Sequence, residues 1–222
     1  MGKLKTKYGT TSLKQQYHAI LLDRIIHCVY KSYDIITINS LVTEFKVSKS
    51  PIREALLELC DEGLLKSIPK YGYEVVPFHE EQVKNIFTFR RLLEISAMDE
   101  YWTILSNQEA VNELNSLIND CETQRKEADP LDRWKQTATF HLSLASIYKN
   151  DYLYLQLERS LRLLGIAYAR SAWIHVNPIN EKLGEQCHRD IVEYIENNDK
   201  NKAITALKLD MDNYMKITFN RQ

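Results

Sequence analysis

The chain has 222 residues, 44% of them hydrophobic and 27% charged, the composition of an ordinary globular protein of one large domain or two modest ones. No apolar run approaches the ~18–20 residues of a membrane span, and the basic start Met1-Gly2-Lys3-Leu4-Lys5 has no apolar stretch behind it, which argues against a secretory signal and for a cytoplasmic protein. The net charge of −1 is unevenly placed: residues 1–78 carry 11 Lys and Arg against 8 Asp and Glu, and the remainder carries 18 against 22.

Apolar residues at three- and four-residue spacing predict helices over residues 13–30, 40–45, 50–60 and nearly everything from 80 to 219, as in Ile86, Phe89, Leu93 and Ala97. The exception is the stretch from Leu65 to Val76, where β-branched and aromatic residues flank Pro69-Lys70-Tyr71-Gly72, the pattern of a β-hairpin. Six glycines and five prolines punctuate the chain, and Pro130 and Pro178 separate later helical segments. The chain therefore divides near Pro77-Phe78-His79 into residues 1–78, helices with a hairpin, and residues 79–222, an all-helical body. The fold class is mainly α. Four cysteines (Cys28, Cys60, Cys121, Cys187) are scattered with no C-x-x-C pair, as expected of reduced thiols.

The segment Ile38 to Leu59 carries the clearest chemistry. Asn39 or Ser40 can cap a short helix with Leu41, Val42 and Phe45 on its apolar face, and a tight turn through Lys46-Val47 follows. Ser48 then stands as the N-cap of a second helix with Pro51 inside the first turn, where a missing N–H costs little. Ile52, Ala55, Leu56 and Leu59 of that helix point inward, leaving Lys49, Ser50 and Arg53 outside at its N-terminal end. There a recognition helix meets the major groove, and the helix dipole favours phosphate.

These residues resemble the GntR family of bacterial regulators, whose signature runs roughly Leu-Ala-x-x-x-x-Val-Ser-Arg-Thr-Pro-Val-Arg-Glu-Ala-Leu. Here it reads Leu41-Val42, then Val47-Ser48-Lys49-Ser50-Pro51-Ile52-Arg53-Glu54-Ala55-Leu56, followed by Glu62-Gly63-Leu64-Leu65 and the wing glycine Gly72. The resemblance covers residues 13–78 and implies a winged helix-turn-helix. In it Arg53 reads a base edge or phosphate beside Lys49 and Ser50, with Asn39 and Ser48 also on the DNA-binding surface. Lys70, Tyr71 and Gly72 of the wing approach the minor groove or form a plain hairpin tip. The chain departs from the family where Tyr30-Lys31-Ser32-Tyr33-Asp34-Ile35-Ile36 replaces a Leu-x-Pro-Gly-x-x-Leu segment, a change expected to alter a loop.

Residues 80–219 resemble the all-helical FCD-type effector domain of the family's FadR branch. The resemblance is carried by Ile86 to Glu94, by Phe140-His141-x-x-Leu144 leading to Lys149-Asn150-Asp151, and by His188-Arg189-x-Ile191-x-x-Tyr194-Ile195 with Asn198-Asp199, Ala203 and Leu207. In many relatives this bundle holds a divalent metal on an Asp and a His four residues apart and two later histidines. Those positions are Thr137, His141, His188 and Asp210 in this chain. The resemblance thus implies a two-His-one-carboxylate set of His141, His188 and Asp210 for Zn, Ni or Mn, with Asp210 returned alongside His188 by the Asn197-Asn198-Asp199 turn. The alternative is two hydrogen-bonded histidines in a metal-free pocket. The branch also implies a small organic acid effector, with Arg90, His141 and His188 as its binding residues, and Arg159, Arg162 and Arg170 as further cations or surface ion pairs. His18, His27, His79 and His175 are expected at the surface or in packing.

The expected function is a homodimeric DNA-binding regulator of a palindromic double-stranded operator, controlled by that effector. A metal-dependent helical enzyme with an appended helix-turn-helix is the alternative, and it lacks a Glu-x-x-His pair, a nucleophile constellation and a Gly-rich phosphate loop. A helical interaction protein with a degenerate head is a third reading.

Overall fold

The computed structural model describes residues 12–123, 130–175 and 181–219, and side chains within 12–119, 134–169 and 186–216. Pro178 and the side chains of Cys121, Arg170 and His175 lie outside the described residues. The chain divides into two compact units, one ending at Phe78 and the other beginning at His79.

The first unit begins with α1 (Leu13–Ile26), started by a capping box in which the Ser12 hydroxyl accepts from the Gln15 N–H and the Gln15 side chain returns to the Ser12 N–H. The predicted helix over 13–30 stops at Ile26, because Cys28 takes a left-handed backbone (φ 56°) and the chain turns. Ile35 and Ile36 then form β1, a strand that the hydrophobic pattern did not disclose, being two residues long and defined only by its partner. Helix α2 (Ile38–Phe45) is capped by Thr37, whose hydroxyl accepts from the Ser40 N–H at 3.1 Å. Asn39 and Ser40, expected as caps, therefore lie inside the first turn. Lys46 ends α2 in the left-handed region (φ 53°) and redirects the chain into α3 (Lys49–Asp61).

Helix α3 packs chiefly on α1. Ile52, Ala55, Leu56 and Leu59 are its buried stripe, and Leu21, Ile25 and Ile26 are that of α1. The end of α3 is a Schellman turn: the Leu64 N–H reaches the Leu59 carbonyl and the Gly63 N–H the Cys60 carbonyl, both at 2.9 Å. Gly63 supplies the required positive φ of 80°. The chain then forms β2 (Leu65–Ile68) and β3 (Gly72–Val75), in an antiparallel sheet of order β1-β3-β2 with Ile36 opposite Tyr73 and Ser67 opposite Tyr73 on the other side. Two of the histidines expected at the surface or in packing sit beside polar groups: His18 Nε2 is 3.1 Å from Glu62, and His27 Nδ1 is 2.9 Å from the Asp23 carbonyl.

The second unit contains seven helices among the described residues: α4 (Glu80–Glu100), α5 (Trp102–Leu105), α6 (Gln108–Thr123), α7 (Pro130–Ile147), α8 (Asp151–His175), α9 (Glu181–Glu196) and α10 (Lys200–Phe219). Their starts follow from Asn and Asp caps: Asn107, Asn150 and Asp199 each accept from the N–H three residues on. The α9–α10 turn is a second Schellman motif, with Asn198 left-handed (φ 54°) and the Asp199 N–H bonded to the Tyr194 carbonyl at 2.8 Å. Leu114, Leu144, Leu157, Leu161, Leu164, Ile191, Ile195, Ala203 and Leu207 are buried in the core. No described helix is long and apolar enough to cross a membrane, and Cys28, Cys60 and Cys187 are free thiols.

Gly72 combines a φ of 139° with a backbone approach so close that an added Cβ would stand 2.6 Å from the Ile36 carbonyl oxygen. Gly72→Ala is therefore expected to cost about 2 kcal/mol by straining the β1–β3 pairing. Tyr71→Ala next to it, at a side chain 74% exposed, should stay within about 0.5 kcal/mol. Urea unfolding of both variants, monitored in residues 1–78, checks the contrast; equal midpoints would refute it.

Candidate functional site

The outer face of α3 presents Lys49, Ser50 and Arg53 to solvent, opposite the buried stripe that packs on α1. The Ser50 hydroxyl donates to Glu54 at 2.9 Å, whereas Lys49 and Arg53 have no carboxylate partner among the described residues. Ser48 occupies the N-cap position, but its hydroxyl caps no N–H. The first N–H groups of α3 are thereby left for an acceptor from outside, the arrangement that suits a phosphate. Asn39 is exposed on α2, where its carbonyl accepts from the Thr43 hydroxyl. At the hairpin tip Lys70 is left-handed (φ 69°) and exposed beside Tyr71, and Gly72 is partly covered. The structure thus gathers Lys49, Ser50 and Arg53 at one helix end and Lys70, Tyr71 and Gly72 at one turn.

The second unit buries a polar cluster built from four helices. Arg90 and Glu94 lie one turn apart on α4, so their side chains meet, and the Arg90 Nε donates to Glu94 Oε1. His141 of α7 stands between two carboxylates: Nδ1 is 2.6 Å from Glu94 Oε2 and Nε2 is 2.9 Å from Asp210 Oδ2 of α10. His188 of α9 brings its Nε2 to 3.4 Å from Asp210 Oδ1, stacked face to face on Phe140 with centroids 4.0 Å apart. Arg90 Nη2 is 3.9 Å from Asp210 Oδ2. Arg90, His141 and Asp210 are wholly buried, and His188 alone keeps a side-chain exposure of 12%.

The α9–α10 turn explains how His188 and Asp210 meet. Each stands eleven residues from Asp199, close to three helical turns at 3.6 residues each, so both side chains return to the same side of the hairpin. Thr137 precedes His141 by one turn of α7, is buried, and hydrogen-bonds the hydroxyl of Tyr214, itself one turn beyond Asp210 on α10. The position to which the family resemblance assigns an aspartate is thus taken up by a Thr–Tyr pair. Of the remaining arginines named from the sequence, Arg159 and Arg162 are exposed on α8, apart from the buried cluster.

Electrostatics follow from this packing. Burial alone would raise the Glu94 carboxyl, but Arg90 and His141 outweigh it and hold Glu94 below the usual carboxylate range. Burial opposes charge on Asp210 as well, and His188 and His141 override it and keep Asp210 ionised. For His141, burial and Arg90 disfavour the cation, yet Glu94 and Asp210 on its two nitrogens win and raise it above an ordinary histidine. His188 moves the other way: burial dominates and leaves it neutral. Cys187, next in the chain to His188, is pushed up to about 11 mainly by burial, which keeps it a neutral thiol rather than a ligand.

Five polar side-chain atoms of this unit are buried with no hydrogen-bond partner among the described residues: Nη1 and Nη2 of Arg90, Nε2 of His188, Oδ1 of Asp210 and the Tyr148 hydroxyl. Buried polar groups are satisfied almost everywhere in proteins, so this concentration makes the cluster the candidate site of the second unit. A donor atom from each of His141, His188 and Asp210 lies within 4.8 Å of the others. His188 Nε2 and Asp210 Oδ1 are two of those unpartnered atoms and suit a divalent ion, whereas His141 Nε2 already meets Asp210 Oδ2 at 2.9 Å and would have to give up its proton to join them. Sequence reasoning named Arg90, His141, His188 and Asp210 but missed Glu94 as part of the cluster and Tyr214 as the partner of Thr137. The four-residue spacings Arg90–Glu94 and Asp210–Tyr214 were the available signal.

Two family models match the chain: the bacterial regulatory proteins, gntR family, over residues 13–75, and the FCD domain over residues 85–213. The gluconate operon transcriptional repressor of Bacillus subtilis is 25% identical over 158 residues, which span 71% of this chain and 58% of that repressor. The HTH-type transcriptional repressor RspR of Escherichia coli is 24% identical over 199 residues, 89% of this chain and 85% of RspR. Among solved structures, Escherichia coli McbR/YncC superposes with a TM-score of 0.67 at 18% identity, covering 94% of this chain and 98% of that one. Lar, which controls the expression of the Listeria monocytogenes agr system, superposes with a TM-score of 0.72 at 14% identity, covering 97% and 100%. A winged helix-turn-helix joined to an all-helical FCD domain places this chain in the GntR family of bacterial transcriptional regulators, in its FadR-type branch, and not among enzymes.

Proposed function

We propose that residues 1–78 read a palindromic operator in a homodimer, and that residues 79–222 dimerise and bind a small organic acid that controls this reading. The observation that carries the effector half is the Arg90 guanidinium, wholly buried with both Nη atoms unpartnered. Glu94 on Nε and Asp210 at 3.9 Å from Nη2 counter the charge, yet both Nη atoms still lack a hydrogen-bonded acceptor. A carboxylate satisfies both free nitrogens in the bidentate geometry that a guanidinium offers. His188 stands beside it as the member with residual exposure, on the side from which a ligand arrives. Two relatives are repressors of gluconate operons, which agrees with an organic acid as effector. Because its head reads chromosomal DNA, the protein acts in the cytoplasm.

We further propose that His141, His188 and Asp210 hold a divalent ion, Zn, Ni or Mn. Such an ion supplies positive charge and open coordination positions beside Arg90. Without it, a protonated His141 and Arg90 balance Glu94 and Asp210, whereas His141 with a free Nε2 lone pair leaves room for two added positive charges and a net attraction for an anion. Thr137 contributes a neutral hydroxyl where a carboxylate would bind more strongly. The effector shifts operator binding only by its differential affinity for the competent and incompetent arrangements of the dimer.

Three outcomes are expected. Arg53→Ala, at an unpartnered cation on the outer face of α3, should cost ~1–3 kcal/mol of operator affinity if it reads a base edge. Unchanged affinity in a titration at fixed salt would remove Arg53 from the interface. The full chain should sediment as a dimer at micromolar concentration, and a monomer there would exclude the two-fold reading. For the ion, protein prepared without chelator should contain one of the three metals and be stabilised by adding it. His188→Ala should abolish that shift and Thr137→Asp should enlarge it. A metal-free preparation that none of the three ions stabilises would leave the cluster as a hydrogen-bonded anion site.

A further inference from the structure

Helix α4 divides into two faces. Val83, Phe87, Arg90, Glu94, Ala97 and Met98 are buried, and the helix packs on α8 and α10. On the other side Asn85, Thr88, Leu92, Ser96 and Asp99 follow at spacings of three and four with Phe89 beside them, and all six are exposed. Phe89 is 43% and Leu92 65% exposed. Single apolar side chains at a surface need no explanation, but these two adjoin at the middle of a stripe about 21 Å long.

The stripe is complementary to itself when reversed. Two antiparallel copies of α4, related by a two-fold axis at Leu92, bring to one level residues whose numbers sum to about 184. On one side of the axis Phe89 then meets Ser96 of the second copy, a large ring against a small side chain. On the other side Thr88 meets Ile95, which is half-buried. Leu92 meets Leu92 on the axis. At each end Lys84, 47% exposed, comes level with Asp99, 65% exposed. Lys84 already pairs with Glu80, and Asp99 with Lys200, so the second copy joins two ion pairs into a row of alternating charge.

We propose that this exposed stripe of α4 is the homodimer interface, packed antiparallel on the same stripe of a second copy with the two-fold axis at Leu92. This rests on the reading of the chain as a homodimer and names the surface that makes it. Arg90 and Glu94 stand two positions before and after Leu92, roughly 200° round the helix, so α4 carries the polar cluster on one face and the second copy on the other. A shift of α4 on filling the cluster thus acts on the interface with no helix between.

Sedimentation of the full chain over a micromolar concentration series tests this. Leu92→Glu sets two carboxylates against each other on the axis and should raise the dimer dissociation constant at least about a hundredfold. Leu155→Glu, at a leucine of α8 that is 56% exposed, should leave it unchanged. Size complementarity supplies a second readout, which decides the matter even where Leu92→Glu fails to fold. Phe89→Ser and Ser96→Phe should each weaken the dimer about tenfold, and the double variant, which again sets a ring against a serine, should regain most of that loss. A wild-type dimer that Leu92→Glu and both single variants leave intact would overturn the α4 interface and keep the homodimer. A double variant weaker than either single one would overturn the interface as well, and so would a dimer that Leu155→Glu disrupts as much as Leu92→Glu. If the wild type sediments as a monomer, the homodimer reading and this proposal fall together.

Discussion

The second unit is organised around one constraint: a guanidinium, two carboxylates and two imidazoles removed from water in the middle of a helical bundle. Removing a single such charge from water unpaired costs several kcal/mol, so these groups persist only as a mutually compensating set. Arg90 pairs with Glu94 on its own helix, while His141 bridges Glu94 to Asp210. Helices α4, α7 and α10 are therefore tied through one imidazole, and α9 joins through His188. Removing His141 would leave two buried carboxylates facing each other. The apolar core around them fixes the bundle, but the polar centre dictates which faces turn inward.

The compensation is incomplete, and what is missing defines the chemistry. Atoms of Arg90, His188 and Asp210 are left without a hydrogen-bond partner among the described residues, and a ligand that supplied charge and acceptors there would complete the network. A binding site of this kind couples naturally to conformation. The unliganded cluster holds unmet polar atoms, and any rearrangement of α9 or α10 that satisfies them competes with ligand for the same stabilisation. The first unit has the opposite economy: α1 and α3 bury a continuous apolar stripe, and the polar side chains of α3 face outward to solvent. Its one close backbone approach, Gly72 against Ile36, holds the wing to β1.

How much of this could be read from the chain depends on the range of the interaction. The α3 stripe Ile52, Ala55, Leu56 and Leu59, and the outward placement of Lys49, Ser50 and Arg53, follow from a 3.6-residue period and needed no fold. So did the hairpin around Pro69 to Gly72, and the hairpin logic that returns Asp210 beside His188. The cap of α2 was misplaced by two or three residues because Thr37, Asn39 and Ser40 are all competent caps, and only the turn leaving β1 selects Thr37. Strand β1 left no trace, since two residues have no periodicity and its existence depends on β3, some forty residues away.

The sequence by itself determined the periodic and locally capped features: which helices exist, which face of α3 is buried, and the family to which both halves belong. Tertiary structure alone decided the partners. That His141 joins Glu94 to Asp210, that Thr137 meets Tyr214, and that Tyr148 has no hydrogen-bond partner among the described residues depend on which side chains from different helices meet at ångström distances. The physical reason is that hydrophobic periodicity specifies a direction inward without specifying a neighbour, whereas the strength of a hydrogen bond or an ion pair depends wholly on which neighbour is there.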